Sequence, residues 1–535
     1  MCKFICEWHF KSIKRIRVAE MRNKFALIAL IAGFFMAILD SNIVNITLPE
    51  MTKTFHTSID TISWVANTYN VAFVSCLLIA ARLADQFGRK KLYIIGLLGF
   101  SISSFMCGIA TSFHTLVAFR IIQGISAAVI VPVAMPLGLN LVPREKQGMI
   151  GGIMGAFGGL AAAIGPSLGG ILTDKLNWSW VFFINVPVGI LSFIFVILCI
   201  KESYDHAASS KIDWAGMITS ASALCLLVYA LIQVNINHLS TIGLIFLFML
   251  SLIGFILFFI IEKKSENPML PLKLFTNKEF SISNFSLFFV GMGLMNFLFI
   301  LAFYFVQVEG MSELQSGLII STLAIVSMLV TVIVTPIAAN RGSSLVGSIG
   351  LLTFIVASYL FSQIDSNFTT WDYIWRLIIV GIGTGCTLAP YTTTAVLSVP
   401  IEKSGVAASI CNISRTVGSI VGVAILVMFL NHQLLVEKEK INREVVTVIK
   451  KSDLSNLERE KVLQAINKKQ QIVLKTDEES KIYKQLKEKY KQGIIRSYNE
   501  VFLMGSIIFF IAFAFNIGRV IISKKRSKRV ISYNP

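Results

Sequence analysis

Long runs of apolar residues dominate the chain from end to end. Fourteen of them are centred near residues 35, 71, 101, 125, 162, 190, 224, 251, 295, 326, 353, 384, 418 and 510. Each approaches the roughly 20 residues that an α-helix needs to cross a bilayer. The runs are continuous and lack the alternation of apolar and polar residues that a transmembrane β-strand shows. The pattern therefore predicts an all-α polytopic membrane protein with fourteen transmembrane helices.

Composition supports this prediction and excludes other classes of protein. The 535 residues are 55% hydrophobic and 15% charged, with a mean hydropathy of +0.72, which is too apolar for a soluble globular protein. The sequence has no G-x-x-x-x-G-K-[ST] phosphate-binding loop and no intracellular segment long enough for a nucleotide-binding domain. Eight cysteines, six of them in predicted spans, indicate no disulfide framework. We expect no enzyme activity, no cofactor and no metal site.

The distribution of Lys and Arg predicts how the chain is oriented in the cell membrane. Basic residues cluster before the first run, between the second and third runs, and in the tail "KKRSKR". The short loops on the opposite side hold little beyond Lys53 and Lys175. We therefore expect both termini in the cytoplasm. We also consider Met21, at the start of "MRNKFALIAL", as an alternative translation start. The net charge of +18 reflects this topology and the basic stretch from about 436 to 496, rather than nucleic-acid binding.

The chain also contains an internal repeat. "PREKQGMIGGIM" from Pro143 and "PIEKSGVAASIC" from Pro400 match with an offset of 257 residues (400 minus 143), and Arg120 has a near counterpart in Arg376. Helices 1 to 6 and 9 to 14 are therefore predicted to be two copies of one six-helix bundle, with helices 7 and 8 between them. Such duplicated halves place a substrate site at their interface near the bilayer midplane, reached alternately from each side.

These observations divide the chain into seven segments. They are a cytoplasmic tail (1–24), a first bundle (25–200), a linker with helices 7 and 8 (201–280), helices 9 to 13 of the second bundle (281–430), an extracytoplasmic loop (431–497), helix 14 (498–523) and a basic cytoplasmic tail (524–535). The loop mixes both charge signs with apolar residues at helical spacing, which predicts one or two amphipathic helices on the outer face.

A carboxylate interrupts the first apolar run, "FFMAILDSNIVNITLP" (34–49). A charge in hydrocarbon costs at least about 2.5 kcal/mol, so such residues face the protein interior and have functional roles. Asp40 lies roughly 13 Å from the outer end of its helix, and Arg120 lies roughly 10 Å below the same surface. We predict that the two side chains pair and that Arg120 keeps Asp40 able to gain and lose a proton. A static ion pair that fixes helix packing is the alternative.

Five segments resemble motifs of the major facilitator superfamily. "ARLADQFGRKK" (81–91) is similar to its loop signature between helices 2 and 3, "LVAFRIIQGISAA" (116–128) to its helix-4 motif, and "GAFGGLAAAIGPSLGG" (155–170) to the helix-5 motif associated with antiporters. "LDSNIVNITLP" (39–49) and "WSWVFFINVPVG" (178–189) resemble the fourteen-helix drug:proton antiporter branch. The resemblance covers about residues 25 to 430 and the last span. It implies the major facilitator fold and a multidrug efflux transporter coupled to protons.

The resemblance also implies roles for particular residues. A conformational latch that holds the two halves in the outward-facing state would comprise Arg82, Asp85, Gly88, Arg89 and Lys90, with a positively charged topology anchor as the alternative. The helix-5 antiporter motif comprises Gly155, Gly159, Gly165, Pro166, Gly169 and Gly170, where small residues allow close helix packing and proline removes a backbone donor. The family's first loop glycine is Ala81 here, and Asn340 replaces the acid in the second-half copy, which suggests one working latch.

The expected substrate cavity is lined by Asn45, Trp64, Tyr69, Gln123, Asn412 and Arg415, and for Arg415 a structural role beside Asn412 is favoured. The second-half spans hold no deep acid, so we expect neutral, zwitterionic or singly charged amphiphiles as substrates. The leading function is proton-coupled export of drugs or amphiphilic small molecules by a monomer in the lipid bilayer. An uptake symporter, an exporter of one specific metabolite or lipid-like compound, and a non-transporting sensor remain alternatives.

Overall fold

The computed structural model describes residues 2–57, 59–204, 213–236, 240–265, 268, 270, 272–400, 403–451 and 477–531. Regular structure in these ranges is entirely helical. The first six long helices are α1 (Cys2–Ile43), α2 (Trp64–Phe87), α3 (Arg89–Gly108), α4 (Phe113–Leu139), α5 (Gln147–Lys175) and α6 (Asn185–Cys199). The two that follow are α7 (Trp214–Ile236) and α8 (Thr241–Lys264). The last six are α9 (Lys278–Gln307), α10 (Glu313–Arg341), α11 (Ser343–Phe361), α12 (Thr370–Leu397), α13 (Ser404–Lys451) and α14 (Asp477–Ile531).

The predicted all-α membrane architecture is confirmed. Thirteen helices among the described residues are long and apolar enough to cross a membrane, from Met21–Thr47 to Glu488–Ile517. The remaining long helix, α5, has 29 residues and packs inside the bundle against α1 and α10. An even number of spans places the start of α1 and the end of α14 on the same side of the protein. We call that side the termini face and the opposite side the far face.

Two six-helix bundles, α1–α6 and α9–α14, are related by the repeat seen in the sequence. Helix α12 begins 257 residues after α4 (370 minus 113), and α13 begins 257 residues after α5 (404 minus 147). Between the bundles, α5 packs along α10 and α12, whereas α2 packs against α13. Helix α7 contacts both α2 and α13, so the inserted pair stands at the edge of this interface.

The apolar cores differ between the two bundles. The first core contains Tyr93 and Phe100 and continues into Tyr391 and Ala407 of the second bundle, so the halves are packed together near the termini face. The second core is a stack of aromatic rings centred on Phe297, which lies in a π-helical turn of α9. Around it lie Phe354, Phe361, Phe502 and Phe509, with ring centroids 5.5 to 6.4 Å from that of Phe297.

The predicted extracytoplasmic loop begins and ends as extensions of membrane helices. Helix α13 continues to Lys451 and α14 begins at Asp477, and residues 452–476 lie outside the described part of the chain. Arg496 pairs with Glu437 at 3.2 Å, and Ile441 packs on Gly493, so the two extensions lie side by side. The described ends of the loop are therefore continuous with α13 and α14 and are not separate helices lying on the far face.

Candidate functional site

A buried ion pair lies in the first bundle, between α1 and α4. Nη1 of Arg120 donates to Oδ2 of Asp40, and both side chains are 0% exposed. Nε of Arg120 donates to the backbone carbonyl of Val65 on α2, at 2.9 Å. The depth argument from the sequence placed the two charges at a common level, and the structure brings them into direct contact.

The second carboxylate oxygen of Asp40 is held by two amides. Oδ1 accepts from Nε2 of Gln123 at 3.0 Å and from Nδ2 of Asn185 at 2.8 Å. Both amides also donate to Oγ of Ser104, at 3.0 and 3.1 Å. Hydrogen bonds to an ionised group are about twice as strong as those between neutral groups, so this cluster fixes the carboxylate firmly.

Sequence reasoning did not identify Asn185 or Ser104 as members of this cluster. Asn185 lies in the quoted segment "WSWVFFINVPVG", where an amide in an apolar run was the available signal. Ser104 stands in "FSISSFMCG" on α3, a span with two other serines nearby, and carries no comparable signal. Only the packing of α3 against α4 and α6 brings these two side chains to Asp40.

An aromatic wall separates the charge cluster from the centre of the protein. The ring of Tyr69 on α2 covers the Arg120 guanidinium, with 4.3 Å from Cζ to the ring centroid. The Tyr69 hydroxyl donates to the carbonyl of Ala37, at 2.9 Å, which fixes the ring against α1. Nη2 of Arg120 has no hydrogen-bond partner among the described residues, and the π-face of Tyr69 supplies a partial substitute.

On the other side of Tyr69 lies a cavity of about 490 Å³. It runs from the middle of the bundle toward the far face and falls within the range of about 300 to 1,000 Å³ that ligand pockets occupy. Its walls come from both bundles and from α7. The lining is mainly apolar, with amides and hydroxyls from residues that include Asn45, Asn67, Asn70, Thr384 and Ser419.

The glycines of α5 allow the second bundle to approach closely on the termini side of this cavity. A methyl group at Gly151 would collide with Thr393, and one at Gly155 would collide with Ala389, both on α12. Gly159, one turn further along α5, lines the cavity itself. The predicted row of glycines on α5 therefore packs tightly against α12 at Gly151 and Gly155, and this contact ends at Gly159, where the cavity begins.

Further along α5, the glycines face the first bundle instead. A Cβ at Gly165 would lie 3.2 Å from the backbone nitrogen of Ile43, and one at Gly169 would lie 2.7 Å from its carbonyl oxygen. Gly170 has no atom within 4 Å of a built Cβ. The side chain of Pro166 lies outside the described part of the structure. Close packing on α1 thus explains Gly165 and Gly169 but not Gly170.

The loop between α2 and α3 contacts the second bundle at the termini face. Nε of Arg89 donates to Oδ1 of Asp85 at 2.8 Å, and both residues are buried. The Asp85 carboxylate faces the first turn of α13, where a Cβ at Gly405 would lie 3.3 Å from Oδ1. Nearby, Oγ of Ser409 on α13 donates to the carbonyl of Leu77 on α2, at 3.1 Å. Asp85 is therefore placed to interact with the positive end of the α13 dipole.

The other side of the same loop is held by its own bundle. Glu202, after α6, accepts from the backbone nitrogens of Lys90 at 2.8 Å and Lys91 at 3.0 Å, so it caps the start of α3. Gly88 has φ +108°, and a Cβ there would press on the Glu202 carboxylate. Arg82 is half-buried on the last turns of α2. Glu202 lies far along the chain from the loop signature, so sequence spacing did not reveal it.

About three quarters of the chain is similar to proteins of a known family. The profile of the Major Facilitator Superfamily matches residues 30–423. The chain belongs to this superfamily. It is 32% identical over 409 residues to multidrug resistance protein 3 of Bacillus subtilis, an alignment that covers 76% of this chain and 79% of that protein. It is 29% identical over 401 residues to the methylenomycin A resistance protein of the same organism, covering 75% of this chain and 86% of that protein.

A solved structure shares the fold. The crystal structure of the human organic anion transporter MFSD10 (TETRAN) matches with a TM-score of 0.58 at 12% identity, covering 91% of this chain and 99% of that one. The protein is therefore a multi-pass membrane transporter and not an enzyme, as the sequence predicted.

Three of the six residues predicted to line the cavity of the transporter do so. Asn45, Tyr69 and Arg415 line it. Asn412 lines a smaller cavity of about 60 Å³ on the termini side, and Arg415 lines both. The two cavities therefore adjoin at Arg415, eleven residues after the start of α13 (415 minus 404).

Two of the predicted cavity residues lie elsewhere in the transporter. Trp64 packs on Tyr229 of α7, with ring centroids 5.5 Å apart, because the inserted helix covers this side of α2. Gln123 is 0% exposed and belongs to the charge cluster, because its amide is bound to Asp40 and to Arg120. The predicted positions of Trp64 and Gln123 in the cavity wall were therefore wrong. Gln123 instead belongs to the group of side chains that binds Asp40.

The second bundle of the transporter has no equivalent of the Asp40 cluster among its described residues. Arg376 lies near the far end of α12, where it donates to the carbonyls of Asp372 at 2.7 Å and Leu360 at 3.3 Å. The interior that would correspond to the cluster is filled by the aromatic stack around Phe297. Among the described residues, the buried Asp40–Arg120 pair therefore has no counterpart in the second bundle.

Proposed function

We propose that this transporter is a proton-coupled antiporter that exports amphiphilic small molecules across the cytoplasmic membrane. The observation that carries the proposal is the Asp40–Arg120 pair, fully buried beside the central cavity but separated from it by Tyr69. The termini face is assigned to the cytoplasm because Lys and Arg cluster there. Names of relatives that refer to multidrug and antibiotic resistance support export as the direction.

The chemistry of the cluster suits a single reversible protonation. Asp40 is 0% exposed and lies seven residues from the end of the span Met21–Thr47, whereas the buried acids Asp85 and Glu262 lie within two residues of helix ends. A proton on Asp40 removes the charge that Arg120 is paired with. Neutralising one partner of a buried ion pair leaves the other uncompensated, at a cost of roughly 3–5 kcal/mol. That free energy is large enough to drive a shift between two conformations.

Helix α1 connects the proton site with the substrate site. Asp40 points into the first bundle, while Ser41 and Asn42 on the same helix line the cavity. Tyr69 contacts Arg120 on one side and the cavity on the other. A change in the Asp40–Arg120 contact therefore acts on two walls of the cavity at once, and substrate and proton compete through these walls.

The described conformation corresponds to the outward-facing state of such a cycle. The cavity extends toward the far face, and the termini side is closed by the α5–α12 and α2–α13 contacts. Protonation of Asp40 from outside would release substrate in this state. Return of the proton to the cytoplasm would restore substrate affinity in the opposite state.

Transport by vesicles tests the proposal. A susceptibility panel in an efflux-deficient host first selects an exported compound, which is then followed in inside-out vesicles with a pH gradient. We expect uphill accumulation that collapses with a protonophore, survives removal of sodium and is lost in Asp40→Asn. Asp40→Glu keeps a titratable group and should retain part of the activity.

The matched control is Asp372→Asn, which removes an acid near the far end of α12, outside the charge cluster. It should accumulate the compound as the wild type does. Full-rate uphill transport by Asp40→Asn would show that coupling resides elsewhere, and dependence on sodium would make Asp40 an ion ligand. Accumulation only in right-side-out vesicles would assign uptake instead of export.

A further inference from the structure

We propose that the central cavity contains an anion subsite at Arg415, so that the substrates of this transporter carry a carboxylate, phosphate or sulfonate group on an apolar body. The proposal rests on the proposed function for the cavity's role as the transport site, and it deepens that function by naming the substrate class. Its basis is the charge content of the cavity wall, the lack of an ion-pair partner for Arg415 among the described residues, and the position of Arg415 between two cavities.

The described wall of the cavity carries one charged side chain. That residue is Arg415, and the described lining includes no Asp or Glu. Tyr69 lies between the cavity and the Asp40 carboxylate, which is fully buried and bound to Arg120, Gln123 and Asn185. A ligand in the cavity therefore meets a single positive charge among apolar groups, amides and hydroxyls.

Arg415 forms no ion pair within the described part of the chain. Its hydrogen bond to Oδ1 of Asn412 is 3.5 Å long, beyond the 2.7–3.2 Å of ordinary N–H···O bonds. The structural pairing favoured by the sequence thus leaves the guanidinium donors largely unused. Arg415 is half-buried, so its guanidinium has lost part of its hydration. An anion that accepts hydrogen bonds from the unused donors would compensate this cost of desolvation.

The shape of the group selects the ligand chemistry. A guanidinium presents a planar fork of donors that matches carboxylate and phosphate oxygens in pairs. Leu294, Met295, Leu298 and Phe299 of α9 form an apolar wall of the same cavity. An anionic head on Arg415 with an apolar body along α9 fits this distribution, whereas a dication would place positive charge beside Arg415 with no carboxylate to receive it.

The position of Arg415 suits a subsite that is reached from both sides. It lines the large cavity on the far side and the small cavity on the termini side. On the termini side the path is closed by Gly155 against Ala389. An anion bound at Arg415 therefore lies where the two halves of the cycle exchange access.

Binding of a charge series to purified protein tests the subsite. Dansylglycine, dansylamide and dansylcadaverine share one fluorophore and are anionic, neutral and cationic at neutral pH. In lipid nanodiscs at fixed pH, we expect the wild type to bind dansylglycine about tenfold or more tightly than dansylcadaverine, because hydrogen bonds to charged groups are strong. Arg415→Gln should abolish this preference, and Arg415→Lys should retain part of it.

Two controls separate this inference from the proposed function. Arg376→Gln removes the second-bundle arginine near the far end of α12, which does not line the cavity, and should leave the charge preference intact. Asp40→Asn should also retain the preference at fixed pH while losing uphill transport. Equal binding of the three probes by the wild type, at any affinity, or tighter binding of the cation, overturns the anion subsite without affecting the test of coupling. A preference that persists in Arg415→Gln overturns it as well.

Discussion

Replacing Asp85 with Asn should shift the transporter away from its outward-facing state. The carboxylate faces the first turn of α13, on the opposite bundle, so in the proposed cycle this contact is lost when the termini side opens. Its loss therefore weakens one conformation and not the other, which is the requirement for moving an equilibrium. Asn keeps the size of the side chain and can still accept a hydrogen bond, so the change isolates the charge.

The magnitude follows from the geometry of the contact. A negative charge at a helix N-terminus contributes about 0.3–1 kcal/mol at exposed sites and up to about 2 kcal/mol when partly buried. Asp85 is 2% exposed, which favours the upper part of this range. A loss of about 1–2 kcal/mol lowers the ratio of outward-facing to inward-facing molecules roughly 5- to 30-fold. Expression and insertion should be unaffected if Arg89 turns toward water or lipid head groups.

Labelling of a cavity cysteine measures this ratio. Asn67→Cys places a thiol in the outward cavity, whose described wall contains no native cysteine. A membrane-impermeant maleimide should label it more slowly from outside when Asp85→Asn is added. Glu202→Gln is the matched control, because Glu202 binds backbone nitrogens of its own bundle and should weaken the loop without altering the ratio. Unchanged labelling in Asp85→Asn would leave the loop with a topological role alone.

Three further predictions concern the helix interface and the charge cluster. Gly155→Leu should abolish transport at normal expression, because the side chain collides with α12, whereas Gly170→Leu, which meets open space, should be tolerated; comparable transport by both would contradict the interface assignment. Substrate binding by purified protein should weaken as pH falls, and Asp40→Asn should flatten this dependence; pH-independent wild-type binding between about 5 and 9 would refute a titrating site. Tyr69→Ala should open the charge cluster to the cavity and cause a substrate-independent proton leak that Tyr69→Phe lacks, as measured by a pH-sensitive dye in proteoliposomes.

The architecture and the central charge pair could be predicted from the sequence because both leave one-dimensional signals. Apolar runs determine the spans, and a lone charge inside a run must find a partner at its own depth. Asp40 and Arg120 are therefore identifiable from distance to helix ends alone. The 257-residue offset between repeated segments recurs in the starts of α4 and α12, so the bundle pairing was also accessible.

Side-chain direction around the helix axis left no such signal. Gln123 and Trp64 stand at depths compatible with the cavity, but packing turns the first toward Asp40 and the second toward α7. Their rotation depends on contacts between helices that are distant in sequence. The same limitation hid Asn185 and Glu202, whose partners lie 145 and 112 residues away.

The fully buried acid Asp40 and the cavity arginine Arg415 become consistent when charge movement is considered. One proton entering for one anion leaving carries two charges inward, which the membrane potential assists by about 4.6 kcal/mol per 100 mV, at about 2.3 kcal/mol per charge. A zwitterion gains half of this and a monocation gains none, while a dication would move against the potential and require further protons. Export of an anion requires only one proton, and a single titrating carboxylate can carry it. The second bundle can therefore be filled by aromatic rings without loss of coupling. Dansylglycine efflux from proteoliposomes should accelerate when valinomycin and a potassium gradient make the substrate-containing side negative. An efflux rate that does not change with the imposed potential would exclude the exchange of one anion for one proton.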